Sequence, residues 1–240
     1  MFIHYRTQGI VLKKTDLGEA DQLLTIYTRD FGKLEILSRG ARKISAKLKP
    51  ATEIFCWSEI EFVQGKSQKR LTDAILIDNF KKIRKDLLKL TIAFQLTETI
   101  NDLIKGQEPD EKIWQHLIET FQRLNNLKPV QPWGLKLYYY FFWLLISFLG
   151  YQPELYHCRL CQKKLTASQL YFSAKEGGLI CQNCYKRVKL GQEIDCQTIK
   201  ILRIILKKDW LCLARLKLGK THFTSLANVT EQTKKFLTTV

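Results

Sequence analysis

The chain lacks any long apolar run. Its most hydrophobic stretch, Leu137 to Leu149, is broken by Ser147 and is about a dozen residues long, where a bilayer crossing needs roughly 20. A membrane-spanning helix is therefore not expected. No apolar core follows a basic start at Met1 to Arg6, so no secretory leader is expected either, and a cytoplasmic location with reduced thiols follows. Catalytic signatures are missing too: there is no Walker A, G-x-G-x-x-G, G-x-S-x-G or H-E-x-x-H pattern, and His4, His116, His157 and His222 have no evident acid or nucleophile partner. Asp16, Glu19 and Asp21 cluster around Leu17 and Gly18, a spacing that suits a hairpin loop rather than carboxylates converging on two metals from separate elements. The expectation is a protein that is not an enzyme and takes no small-molecule substrate.

Acid is the scarce charge. The 240 residues hold 39 Lys and Arg against 23 Asp and Glu, a formal +16, and that excess points to a polyanionic partner. Residues 1–80 carry 13 basic and 10 acidic groups, 81–155 carry 10 and 8, 156–190 carry 7 and 1, and 191–240 carry 9 and 4. Within the nearly balanced first segment, residues 36–50 hold Arg39, Arg42, Lys43, Lys47 and Lys49 with no acid. Such a stripe is either a solvated face or a phosphate-binding one. With 45% hydrophobic and 26% charged residues, the chain has the composition of a folded globular protein rather than of a disordered tail.

The first eighty residues read as strands. Period-two runs lie at Leu34 to Arg39 and at Ile54 to Phe62, the latter with Ile54, Cys56, Ile60 and Phe62 on one side and Glu59 and Glu61 on the other. Turn residues at 30–33 and 64–67 separate Gln22 to Thr28, Leu34 to Ser38, the run to Phe62, and Leu71 to Ile77. With Thr7 to Lys14 these make five strands, enough for a small closed barrel of the OB type. A five-stranded SH3-like barrel fits the same pattern.

Beyond Phe80 the period becomes helical. Ile83, Leu87, Leu90 and Phe94, continued by Leu96, Ile100 and Leu103, predict one long amphipathic helix. Ile113, Leu117, Phe121 and Leu124 predict a second, closed by Pro129 and Pro132. The run from Trp133 to Leu149 is apolar all round, which suits the centre of a bundle, a hydrophobic partner groove being the rival reading. Ile199, Leu202 and Ile205 start a further helix.

Seven cysteines are many for a reduced compartment, and four fall as Cys158-x-x-Cys161 and Cys181-x-x-Cys184 with nineteen residues between the pairs. That is a zinc spacing. Leu170 to Ser173 and Gly178 to Ile180 read as two short strands around Glu176 and Gly177, a ribbon hairpin leading into the second knuckle. Four thiolates would close the coordination sphere of one Zn²⁺ and leave no place for water, so the predicted role is structural. A pair of redox C-x-x-C motifs or structural disulfides are the other readings. Cys56, Cys196 and Cys212 stand apart and read as small buried hydrophobes. Around the knuckles Arg159, Lys163, Lys164, Lys175, Lys186, Arg187 and Lys189 face only Glu176.

The expected architecture is thus α+β: residues 1–80 an OB-like nucleic-acid-binding barrel, and residues 81–240 an α-helical domain with a zinc ribbon inserted at 156–188 or thereabouts. This arrangement, with Gly9-Ile-Val-Leu12, Gly18-Glu-Ala-Asp-Gln-Leu-Leu24, Phe31-Gly-Lys33 and Arg39-Gly-Ala-Arg42, resembles the RecO family of bacterial recombination mediators over essentially the whole chain. The segment between Arg42 and Pro50 is shorter than in the family, and Ala51 and Thr52 stand where an aromatic usually follows the proline.

The resemblance implies a non-catalytic mediator of DNA repair and recombination. Such a protein binds single- and double-stranded DNA, anneals strands coated by single-stranded-DNA-binding protein (SSB), and with RecR helps load the recombinase RecA. It also implies a nucleoid-associated address and a contact to the acidic, hydrophobic-ended C-terminal tail of SSB. Arg39, Arg42 and Lys43, directly after a barrel strand, are the expected phosphate contacts, followed by Lys47 and Lys49. A tail pocket is expected in the helical region from Trp133 to Leu149, with Lys136, Lys207 and Lys208 nearby. A zinc-ribbon RNA-binding or transcription-associated factor is the alternative function.

Overall fold

A computed structural model describes residues 3–43, 46–65, 67–127, 133–166 and 169–239. Pro129, Pro132 and part of the expected turn at 64–67 lie outside the described residues. The chain divides into two compact units, residues 1–134 and residues 135–240.

The first unit opens with β1 (His4–Leu17), β2 (Asp21–Thr28), β3 (Gly32–Ser38), β4 (Trp57–Gln64) and β5 (Lys69–Asp78), closed into a barrel in the order β1-β2-β3-β5-β4. Only β3 and β5 run parallel, with Ile36 beside Lys69 and Leu37 beside Arg70. This closure decides for the OB-like barrel. The period-two pattern turns Val11, Leu24, Ile26, Leu34, Ile36, Ile60 and Phe62 into one core. At the β2–β3 turn Gly32 has φ +62, and a Cβ there would lie 2.5 Å from the Glu108 carbonyl oxygen. Only glycine permits that approach.

The strand expected from Ile54 begins three residues later. Ile54 to Cys56 form a turn in which Phe55 has φ 67, a conformation unfavourable for a bulky side chain. Packing holds it: Phe55 is fully buried, with ring centroids 4.8 Å from Phe94 and 5.9 Å from Phe121.

The single helix expected beyond Phe80 is two helices, α1 (Lys81–Arg84) and α2 (Leu87–Leu103). Asp86 causes the break by accepting hydrogen bonds from the backbone N–H groups of Leu88 and Lys89 at 3.0 and 3.2 Å, an N-cap that restarts the helix in a new register. The buried face is therefore Ile92, Ala93, Leu96 and Ile100, while Leu87 and Phe94, expected inside, are 83% and 47% exposed. Helix α3 (Glu111–Asn126), capped by Asp110, buries Ile113, Leu117, Phe121 and Leu124 as their spacing predicts.

The second unit is built on α4 (Trp133–Phe148), in which every residue from Lys136 to Ile146 is at most 7% exposed. The all-round apolar run is the centre of this unit, and Trp143 Nε1 donates to Thr230 Oγ1 at 3.1 Å. After the first knuckle come β6 (Leu170–Ser173), β7 (Gly178–Cys181), α5 (Gln182–Val188), β8 (Gln192–Ile194), α6 (Cys196–Leu206), α7 (Trp210–Arg215) and α8 (Lys220–Thr239). The ribbon hairpin forms where expected, and β8 adds a third strand in the order β7-β6-β8. Helix α6 buries Ile199, Leu202 and Ile205.

Candidate metal centre and nucleic-acid interface

The two C-x-x-C pairs meet. The Sγ atoms of Cys158, Cys161, Cys181 and Cys184 all lie within 4.8 Å of one another, and Cys161 Sγ is 3.8 Å from Cys181 Sγ. A Zn²⁺ tetrahedron with Zn–S of about 2.3 Å has edges of roughly 3.8 Å, so the donor set fits a metal ion. Local backbone structure brings the pairs together. The Cys158 N–H donates to the Lys163 carbonyl at 2.9 Å, and the Arg159 N–H donates to that of Leu179 at 2.9 Å, tying the first knuckle to β7. Gly178, at φ +155, lets that strand pass Glu154, whose carbonyl oxygen would lie 2.4 Å from a Cβ.

The thiols differ in acidity. Burial alone would raise Cys158, yet the backbone N–H groups of Cys161, Cys181 and Leu160 hold it down at about 6. Burial and the three neighbouring sulfurs push Cys184 up to about 12. One thiolate is thus prepared at neutral pH, and a cation is what allows the last to form. Cys158 and Cys184 are buried with Tyr171 and Ile180 in a core of their own. His157 lies beside Glu154, Nδ1 to Oε1 3.7 Å. The knuckle cations Arg159, Lys163, Lys164, Lys175, Lys186, Arg187 and Lys189 are all exposed.

The stripe after β3 is exposed at Arg39, Arg42, Lys43, Lys47 and Lys49. It is fastened to the β1–β2 turn: the Gly40 N–H donates to Asp21 Oδ1 at 2.8 Å, and the Arg42 N–H donates to the Ala20 carbonyl at 3.0 Å. Arg42 itself is partly engaged, its guanidinium donating to the Gly18 carbonyl at 3.2 Å and lying 3.6 Å from Asp16. Asp16 and Asp21 therefore organise the turn, as the hairpin reading of that acidic group predicts. In OB folds the loop between strands 1 and 2 borders the nucleic-acid-binding face. The stripe lies beside that loop.

Two lysines leave the cationic surface altogether. Lys89 is buried and donates to the Leu127 and Asn125 carbonyls at 2.6 and 3.2 Å, at the C-terminal end of α3. Lys136 is 3% exposed and donates to the Ala214 and Leu216 carbonyls at the end of α7. Burial lowers the pKa of both. Lys136 thus caps a helix and, with α4 buried around it, cannot line an open tail pocket. Lys207 and Lys208 are exposed and follow the last turn of α6. Elsewhere in the same unit a cavity of about 320 Å³ is lined by Trp143, Phe172, Phe236 and Leu237, with Arg159 and Lys175 among its walls. No sequence signal links Phe236 and Leu237 to the knuckle, because α8 meets it only in the folded unit.

These features define an OB-barrel protein with a helical unit that carries a four-thiol ribbon. Residues 1–80 match the family model "Recombination protein O N terminal", and residues 84–234 match "Recombination protein O C terminal". The chain belongs to the RecO family of DNA repair proteins. It is 33% identical to a DNA repair protein RecO of Dehalococcoides mccartyi over 92% of this chain and 86% of that one. It is 30% identical to the RecO of Caldanaerobacter subterraneus over 88% and 83% of the two chains, and 27% identical to that of Desulforamulus reducens over 93% and 85%.

Proposed function

We propose that the chain is a non-catalytic recombination mediator, which binds single- and double-stranded DNA, anneals complementary strands, and with RecR helps load RecA on SSB-coated single strands. The observation that carries this reading is the exposed stripe of Arg39, Arg42, Lys43, Lys47 and Lys49 fastened to the β1–β2 turn of an OB-like barrel. Annealing requires that the repulsion between two phosphate backbones be lowered, and clustered cations do that by displacing condensed counterions. The barrel of residues 1–80 is the DNA-binding domain in this account, and the location is cytoplasmic, on the nucleoid.

Cys158, Cys161, Cys181 and Cys184 would hold one Zn²⁺, and four thiolates would make it a cross-link with no position left for a reacting group. Its role is to fold the ribbon. The SSB tail needs an apolar pocket flanked by cations, and the cavity lined by Trp143 of α4, Phe172, Phe236 and Leu237 beside Arg159 and Lys175 offers that chemistry. The test is an annealing assay on SSB-coated complementary strands, with and without RecR and without nucleotide. The reading expects annealing of coated strands without nucleotide consumption. Divalent-metal-dependent cleavage, or a preference for RNA over DNA of matched sequence, would overturn it.

A further inference from the structure

The four sulfurs of the ribbon are not equally placed. Cys158 and Cys184 are buried, whereas Cys161 and Cys181 reach solvent. The outer two come from different knuckles, and their sulfurs lie 3.8 Å apart. Cys158 is engaged on the inner side, where its Sγ accepts the Cys181 N–H at 3.4 Å. A thiol that coordinates a metal is already deprotonated, so the four-thiolate reading of the ribbon, on which this inference rests, places two nucleophilic sulfurs side by side within reach of solutes. Oxidation of cysteine follows thiolate character and exposure, and it ends at a reversible disulfide where a second sulfur stands next to the one attacked.

We propose that Cys161 and Cys181 are a peroxide-sensitive pair, whose oxidation joins the two knuckles by a disulfide and expels the metal. The Cys161 thiolate attacks one oxygen of hydrogen peroxide, the O–O bond breaks, and the products are a sulfenic acid on Cys161 and hydroxide. The Cys181 thiolate then attacks that sulfenic sulfur, which forms the S–S bond and releases a second hydroxide. Two electrons pass from the sulfur pair to the peroxide, and both hydroxides take a proton from the solvent to become water. Cys158 and Cys184 remain as donors, two where a closed site needs four. The bond requires the outer sulfurs to move from 3.8 Å to about 2.0 Å, a closure that rotation of two solvent-facing side chains supplies. Cys196 is exposed as well, yet it is not one of the clustered donors, which makes it the internal control.

The experiment uses the full chain purified in the presence of Zn²⁺ and treated with hydrogen peroxide. Metal analysis beforehand should give one zinc per chain, and a metallochromic indicator should then report its loss at one peroxide consumed per zinc released. Peptide mapping by mass spectrometry should place the new disulfide between Cys161 and Cys181. A thiol-free reductant with added Zn²⁺ should restore the metal, and Cys196→Ser should release zinc as the wild type does. Zinc retained while Cys196 alone is oxidised overturns the proposal and leaves the metal site standing. So does a disulfide confined to one knuckle, Cys158 to Cys161 or Cys181 to Cys184, or sulfinic acid on Cys161 without any disulfide. A chain that takes up no zinc overturns the metal reading and this proposal together.

Discussion

Replacing Cys184 with serine tests how the ribbon is held. Its sulfur is buried and is one of four donors within 4.8 Å of one another, so the variant keeps three thiolates and puts a poor ligand at the fourth corner. In zinc-binding peptides the apparent binding free energy is on the order of 10 kcal/mol at neutral pH, and it is folding free energy. The knuckle core is small, four buried residues of which two are ligands. Tyr171 and Ile180 alone, at about 2 kcal/mol each, do not replace it. The strands β6, β7 and β8 keep Leu170, Phe172, Leu179 and Ile194 buried, so the loss should be local: the knuckles open and the helices stay. Trypsin reads this directly, because Lys163, Lys164, Lys186 and Arg187 are exposed knuckle sites. The variant should contain far less than one zinc per chain and be cut there early, with its helical circular dichroism intact. Full zinc occupancy together with wild-type resistance to trypsin would refute the four-thiolate account.

Acid should release the metal. Cys158, depressed to about 6, regains its proton only below that pH, whereas Cys184, raised to about 12 in the metal-free cluster, must lose one on binding; affinity therefore rises with pH above 6. Calorimetry in buffers of different ionisation enthalpy should detect proton release at pH 7, and a buffer-independent heat would contradict it. An acidic SSB tail peptide should bind in the micromolar range, on the order of −8 kcal/mol, weaken with salt, and weaken further in Lys175→Glu. Binding indifferent to removal of the peptide's terminal apolar residue would end the cavity assignment. Arg42→Ala should cost less DNA affinity than Lys43→Ala, because Arg42 already meets Asp16 and the Gly18 carbonyl; equal losses in a binding titration would show that those contacts are given up on DNA.

The barrel and the meeting of the four cysteines were legible because each rests on a local signal. Alternation in Leu34 to Ser38 and in Ile60 and Phe62 fixes which side chains point inward, and two C-x-x-C pairs need only a hairpin between them. Helix α2 was misread for an equally local reason: Asp86 satisfies two N–H groups and starts a new helix, so Ile83 is buried on α1 while Leu87 and Phe94 belong to α2 and are exposed. Lys136 was misplaced because a cation in an apolar run reads as surface charge, whereas its Nζ caps carbonyls almost eighty residues away. Strand β8 pairs with β6 through only three positions, too short a run to show a period of two.

The salt dependence of single-stranded DNA affinity bears most directly on the central claim, that the barrel stripe neutralises phosphates. Each neutralised phosphate contributes a slope of about −0.7 in log affinity against log salt. The variant Arg39→Ala, Lys43→Ala, Lys47→Ala, Lys49→Ala removes four exposed cations and leaves the barrel core untouched. The slope should become shallower by up to about 2.8, with unchanged thermal stability and slower strand annealing. A folded variant that keeps the wild-type affinity and slope would show that DNA is held elsewhere.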